Sequence, residues 1–187
     1  MTQAAHQRQY IRAPLKTFVL YDDDHFGFKA QALNISTGGV LLENLPHIPE
    51  INALPVLLDI PTFPIFSSLS AEKIKKLEGQ SLPRKIIRAR ARIVRSFEGQ
   101  TEVDKIFVQK IGCQFIAISP EATEVIGEYV ANFAKNTIHL LTLFESHSQH
   151  QAELIRIISG LLGYRPDEKL SVLRQKVLHD YQSLEGL

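Results

Sequence analysis

The stretch KIIRARARIVRSF, residues 85–97, has the clearest alternation of apolar and charged side chains in the sequence. Its apolar positions are Ile87, Ala89, Ala91 and Ile93, and its basic positions are Arg88, Arg90 and Arg92. Successive side chains of a strand point to opposite faces, so this spacing predicts a strand with one face in a core and the other in solvent. We interpret the basic face mainly as a solvated surface.

Other strand-like runs lie on both sides of this segment, separated by turn-forming sequences. The runs are residues 13–21, 28–36, 40–43, 53–60 and 105–119, and the turns are YDDDHFG (21–27), STGG (36–39) and EGQTEVD (98–104). In the second run, Leu33 and Ile35 are expected on one side of the strand. About six antiparallel strands within roughly 110 residues predict a barrel or a sandwich.

The spacing of apolar residues changes to a helical period at SPEATEVIGEYVANF, residues 119–133. Ser119 is a good N-cap, and Pro120 suits the first helical position. Ala122 takes the third position, so a full capping box is absent, whereas Glu121 places negative charge where the helix dipole favours it. Helical spacing continues to the end of the chain, so a helical region is expected after the strands.

The segment 61–83 interrupts the strand pattern. The prolines of IPTFP (60–64) break a strand candidate. The following SAEKIKKLEGQ (70–80) suits either a short helix with Ser70 as N-cap or a loop insertion.

The composition indicates a globular protein. The chain has 187 residues, 44% hydrophobic and 22% charged, which suits one domain with an appendage or two small domains. A formal net charge of +1 argues against general coating of nucleic acid. The single cysteine, Cys113, excludes an intramolecular disulfide and a multi-cysteine zinc site, and is most simply a small core residue. No segment resembles a signal peptide or a membrane span, so a soluble cytoplasmic protein is expected.

Two arginines near the N-terminus, in RQYIR (8–12), suggest anion binding. Arg8 and Arg12 project to the same side in either a helix or a strand, because four residues is near one helical turn and is also an even number. Each guanidinium can grip a phosphate, stack on a base or bind the O6 and N7 edge of guanine. Taken alone, the pair is more simply explained as solvated surface.

The stretch NISTGG, residues 34–39, is a second candidate for ligand contact. Asn34 and Ser36 are two residues apart and share the outer face of a strand, where their hydrogen-bonding groups suit a base edge or a phosphate. Gly38 and Gly39 permit positive φ and let the backbone come close to a ligand. Taken alone, this stretch is a hairpin turn.

Together, RxxxR before a first strand and [D/N]xSxxG at the end of a second resemble the PilZ domain, the bacterial cyclic di-GMP receptor module. The matching residues are Arg8, Arg12, Asn34, Ser36 and Gly39. The stretch IGCQFIAISPEATEVIGEYV (111–130) is also similar to the last barrel strand and following helix of that family. The resemblance covers roughly residues 7–133.

The resemblance implies a mainly β protein with α-helices. A six-stranded antiparallel PilZ-type barrel over residues 8–133 would follow a flexible tail, 1–7, and precede an α-helical extension, 134–187. The two arginines would contact the phosphates and guanines of cyclic di-GMP, and the second motif would hydrogen-bond a guanine. Gly38 and Arg92 are further candidates for ligand contact. Asn34 replaces the more frequent aspartate. An amide offers both a donor and an acceptor, whereas a carboxylate only accepts hydrogen bonds, so the guanine contact could be weaker here.

The function that the resemblance implies is a non-enzymatic receptor for cyclic di-GMP in the control of motility, adhesion or biofilm. Its arginine arm would order over the barrel on binding and change the contact with a partner or with the helical tail. No GxSxG, Walker-type or HExxH motif proposes an active site, and no cofactor is expected. One alternative is a PilZ-like adaptor that does not bind nucleotide. A single-stranded nucleic-acid binder would need aromatics among the arginines of residues 88–92, so no nucleic-acid polymer is expected.

The last third of the chain raises two further questions. A metal site at His139, His147 and His150 is set aside, because exposed helical histidines explain them better. The tail carries many large apolar residues, namely Ile138, Leu141, Phe144, Leu154, Ile158, Leu161, Leu173 and Val177. They either pack on the barrel or form an interface with a protein partner or a second copy.

Overall fold

The computed structural model describes residues 10–23, 26–100, 107–146 and 151–184. Residue contacts divide the chain into two compact units. The barrel unit comprises Pro14–Pro61 and Arg84–Glu128. The helical unit comprises Met1–Ala13, Thr62–Pro83 and Tyr129–Leu187.

Seven strands make one closed sheet. They are β1 (Ala13–Pro14), β2 (Phe18–Asp23), β3 (Phe26–Ser36), β4 (Gly39–Glu43), β5 (Leu54–Pro61), β6 (Arg84–Gln100) and β7 (Phe107–Ile118). Their order is β1-β3-β2-β5-β6-β7-β4, and pairing of β3 with β4 closes the barrel. Strands β2 to β7 pair antiparallel around it, and the short β1 lies beside β3. The predicted six-stranded antiparallel barrel is therefore confirmed.

The alternation of residues 85–97 has the predicted consequence. Ile87, Ala89 and Ala91 are buried in the barrel, whereas the three arginines between and after them are exposed. Ile93, predicted on the same buried face, is only half-buried, and the register with β7 shifts directly after it. Burying an aliphatic side chain stabilises a fold by about 1.5 to 3 kcal/mol, so the apolar face fixes the register of β6.

The side chains of β3 do not follow the simple alternation predicted for them. The register with β4 shifts between Ala32 and Asn34, which marks a β-bulge. Ala32 and Ile35 are fully buried, whereas Leu33 is only half-buried. A bulge adds one residue to a strand and changes the phase of its side chains, so Leu33 does not share the core face of Ile35.

One short 3-10 helix, Phe66–Ser68, and four α-helices complete the described structure. The α-helices are α1 (Ala71–Lys76), α2 (Pro120–Glu145), α3 (Gln151–Leu161) and α4 (Leu170–Leu184). Both predicted N-caps are confirmed: Ser70 accepts a hydrogen bond from the Lys73 amide, and the Ala122 amide donates to Ser119 Oγ at 3.1 Å. These two hydrogen bonds each satisfy one amide left unpaired at the start of a helix. Two hydrogen bonds lower the pKa of the Glu121 carboxyl: the larger effect comes from its own backbone amide and the smaller from the Ser119 side chain.

The segment between β5 and β6 belongs to the helical unit. Ile74 of α1 is buried, and Lys75 forms an ion pair with Glu153 of α3. The amide of Phe66 donates to Asn136 Oδ1 at 2.9 Å, and Asn136 Nδ2 donates to the Pro64 carbonyl at 2.8 Å. One buried asparagine of α2 thus satisfies two backbone groups of the segment, which fixes its path.

The large apolar residues of the tail have mixed environments. Ile158, Leu173 and Val177 are buried, Ile138 is 50% exposed, and the other four are half-buried. Much of this surface is therefore packed within the chain, while an interface with a partner or a second copy stays a prediction. Within the described residues, no helix is both long and apolar enough to cross a membrane.

Candidate ligand-binding face of the barrel

The second motif lies in the hairpin that joins β3 to β4. Ser36 pairs with Gly39 across a two-residue loop, Thr37–Gly38. Ser36 is only 3% exposed, so the expectation that it lies open on the outer face beside Asn34 is wrong. Its Oγ instead donates to the Gly39 carbonyl at 3.4 Å within the hairpin. Neither Gly38 nor Gly39 has the positive φ that the sequence permits, since among the described glycines only Gly79 and Gly163 have it.

Gly39 has no room for a side chain. A Cβ built on it would lie 2.1 Å from the carbonyl oxygen of Cys113 in β7. Glycine is therefore required here for the close approach of β4 to β7, whatever the ligand. Cys113 itself is 4% exposed, and burial raises the pKa of its thiol to about 12, in keeping with the predicted core residue.

The same face of the barrel continues across β7 to β6. Gln114 pairs with Gly39 of β4 on one side and with Arg92 of β6 on the other. Arg92 Nη2 donates to Gln114 Oε1 at 3.0 Å, and both residues are exposed. The structure therefore brings Arg92 next to the second motif through Gln114. Sequence reasoning missed Gln114, because only the register of β4 with β7 identifies it.

We call Asn34, Ser36, Gly39, Gln114 and Arg92 the motif face. Asn34 is half-buried at the end of β3, where its amide offers both a donor and an acceptor. With the Gln114 amide and the permanent positive charge of Arg92, the face presents groups suited to a base edge and to an anion.

Of the two arginines of the first motif, the structure describes Arg12, which is exposed and directly precedes β1. Three residues later the chain is fixed to β3, since the Leu15 amide donates to the Leu33 carbonyl at 2.9 Å. Leu33 is the residue before Asn34 in the sequence. Arg8 lies outside the described residues.

Of the three histidines considered as metal ligands, the structure describes only His139, which is half-buried. His139 lies on α2, and burial lowers the pKa of its imidazole. His147 and His150 lie outside the described residues. No group of three or more metal-ligating side chains occurs within the part of the chain that the structure describes.

The profile of the PilZ domain family matches residues 6–132, so the chain belongs to the PilZ domain family. No curated protein matches it in sequence.

Several solved structures are similar in fold. The Bacillus subtilis inhibitor of motility MotI/DgrA has 15% identity and a TM-score of 0.48, over 67% of this chain and 50% of its own. The PilZ domain of Escherichia coli YcgR with c-di-GMP has 10% identity and a TM-score of 0.47, over 75% of this chain and 100% of its own. The K. pneumonia MrkH–c-di-GMP complex has 12% identity and a TM-score of 0.45, over 68% of this chain and 52% of its own. This chain thus spans about half the length of the MotI/DgrA and MrkH chains.

Proposed function

We propose that this protein is a non-enzymatic receptor for cyclic di-GMP. The observation that carries this proposal is that a member of the PilZ family retains both RxxxR and NxSxxG, with the second motif in the β3–β4 hairpin of the closed barrel, beside the exposed side chains of Gln114 and Arg92. The proposed ligand residues are Arg8, Arg12, Asn34, Ser36 and Gly39, with Gly38 and Arg92 as secondary contacts. The chemistry required is a grip on phosphates together with hydrogen bonds to guanine edges, and these residue types provide both.

The covalent path of the chain supports a joint action of the two motifs. Arg12 is three residues before Leu15, and Leu15 is hydrogen-bonded to the residue before Asn34. Three residues span about 10 Å at most. An arm that leaves the barrel at this point can carry both arginines over a ligand seated on the motif face.

Arg92 and Gln114 extend the proposed site across the sheet. Arg92 can pair with a phosphate oxygen of the ligand, while the hydrogen bond to Gln114 holds its guanidinium toward β7. Asn34 would contact a guanine edge more weakly than an aspartate, because its amide supplies one acceptor oxygen rather than two. The variant Asn34→Asp is therefore expected to bind more tightly than the natural chain.

The proposed signal is ordering of the arginine arm. Residues 1–7 would remain a tail, residues 8–133 would form the ligand-binding domain, and the helices of 134–187 would pass occupancy to a partner protein or to a second copy. The proposed location is the cytoplasm, and the proposed role is control of motility or biofilm formation.

Isothermal titration of cyclic di-GMP into the full chain tests this function. We expect binding in the micromolar range or tighter, and a loss of about tenfold or more for Arg12→Ala, since a charge-assisted hydrogen bond contributes about 1.5 to 3 kcal/mol. Arg165→Ala removes an equally exposed arginine outside both motifs and is the matched control. Absence of binding at high ligand concentration, or equal affinity in Arg12→Ala, would instead leave a PilZ-like adaptor without nucleotide.

A further inference from the structure

A second surface of the barrel unit is built on strands β2, β5 and β6. It is a groove of about 620 Å³ whose lining includes Leu20, Asp22, Pro55, Leu57, Arg88 and Arg90. We call it the basic-rimmed groove. None of its lining residues belongs to the motif face. The groove lies where β2 and β5 connect β3 to β6, whereas the motif face lies where β4 and β7 connect them.

The floor of the groove is aliphatic. Leu20 of β2 pairs with Leu57 of β5, and their side chains stand on the outer face of the sheet. Leu20 is 53% exposed, although it lies at the centre of a strand. Phe18, 60% exposed, and Ile86, 65% exposed, lie on β2 and β6 outside the groove lining, and Ile86 pairs with Asp59 of β5. Exposed apolar surface gathered in a groove marks an interaction site more often than scattered apolar residues do.

The rim of the groove is positively charged. Arg88 pairs across the sheet with Leu57, and Arg90 pairs with Pro55, so two guanidiniums flank the aliphatic floor. Within the described residues neither arginine has an ion pair. On β3, Lys29 Nζ lies 3.4 Å from the centroid of the Phe18 ring and adds a third cation. Asp22 is the one carboxylate among the lining residues, so positive charge dominates.

We propose that the basic-rimmed groove binds an acidic segment of a partner protein, with an apolar side chain of that segment seated over Leu20 and Leu57. Carboxylates beside the apolar side chain would pair with Arg88 and Arg90. The match is one of charge complementarity around an apolar centre, the arrangement that gives protein interfaces both affinity and specificity. The aliphatic floor disfavours single-stranded nucleic acid, which binds by stacking its bases on aromatic rings.

This proposal also changes the interpretation of the basic face of β6. Arg92 lies next to Gln114 on the motif face, whereas Arg88 and Arg90 line the basic-rimmed groove beside β5. One strand therefore supplies arginines to two separate surfaces. The docking proposal does not rest on cyclic di-GMP binding, and its failure would leave that function unaffected.

Selection from a phage-displayed library of random peptides tests the proposal. Peptides are selected on the full chain and counter-selected on Arg88→Glu/Arg90→Glu, two exposed substitutions whose folding is checked by circular dichroism. We expect enriched peptides to combine Leu, Ile or Phe with neighbouring Asp or Glu. A synthetic peptide of the enriched sequence should bind the double variant about tenfold or more weakly. Leu20→Ser should weaken it separately by removing part of the floor.

Arg95→Glu is the matched control, because Arg95 is an exposed arginine of the same strand outside the groove. It should retain peptide binding. The proposal is overturned if no peptide is enriched over the double variant, if the enriched peptides lack acidic residues, or if Arg95→Glu loses binding equally. Light scattering that shows a dimer lost in the double variant would assign the groove to a second copy. Binding of a labelled single-stranded oligonucleotide that the double variant loses would assign it to nucleic acid.

Discussion

Gly39 shows that a residue of a ligand motif can be required by the sheet before any ligand arrives. Its position in NxSxxG suggests close approach of a ligand to the backbone, but the structure gives it another task. The carbonyl of Cys113 occupies the space where a side chain would start. A loss of ligand binding on substitution of Gly39 would therefore report a distorted β4–β7 pairing as much as a lost contact.

Gly39→Ala should consequently lower the free energy of unfolding by about 1 to 3 kcal/mol, the usual cost of forcing an extra methyl group into a packed site. The colliding atom belongs to the backbone, so a change of side-chain rotamer cannot relieve it. Gly27→Ala on β3 is the control, since a Cβ there meets nothing within 4 Å. It should leave stability unchanged or raise it by up to about 1 kcal/mol, because alanine loses less backbone entropy on folding than glycine. Urea unfolding of both variants measures the difference, and equal stabilities would contradict the steric argument.

The strands and helix starts could be predicted from sequence because their signals are local. The alternation of β6 and the N-cap at Ser119 each depend on a few neighbouring residues, and both are confirmed. The bulge at Leu33 could not be predicted in this way, because it depends on the partner strand. Gln114 reaches the motif face through pairing with a residue 75 positions earlier, Gly39, and no local pattern encodes that register.

The segment between β5 and β6 is held in the helical unit by side-chain hydrogen bonds from α2. Asn136 bonds both the Phe66 amide and the Pro64 carbonyl, so Asn136→Ala should leave two backbone groups unsatisfied. We expect a loss of about 2 to 6 kcal/mol of unfolding free energy, at about 1 to 3 kcal/mol for each group. Asn132→Ala removes one such bond, to the Phe63 carbonyl, and should cost about 1 kcal/mol. Urea unfolding measures both losses, and equal losses in the two variants would contradict the idea that Asn136 satisfies two backbone groups.

At the scale of the whole molecule, α2 is the one helix among the described residues that contributes to both units. Its first residues, Pro120–Glu128, belong to the barrel unit, and Tyr129–Glu145 belong to the helical unit. The helical period of this stretch could be predicted from the sequence. The place of the segment Thr62–Pro83 in the helical unit could not, because it depends on contacts between residues distant in sequence. We propose this continuous helix as the path by which cyclic di-GMP bound to the barrel would change the stability of the helices.

Hydrogen exchange with and without cyclic di-GMP tests this path. A ligand that binds only the folded barrel stabilises it by about 2.7 kcal/mol at 100 times its dissociation constant, so barrel amides that exchange through global opening should slow by up to about 100-fold. If α2 opens together with the barrel, the amides of Tyr129–Glu145 should slow as well, since they continue the same hydrogen-bonded helix. The Arg12→Ala variant at the same ligand concentration should show a much smaller effect in both regions. Protection confined to β3, β4 and Pro120–Glu128 would mean that the two units open independently, and α2 would then not carry the signal.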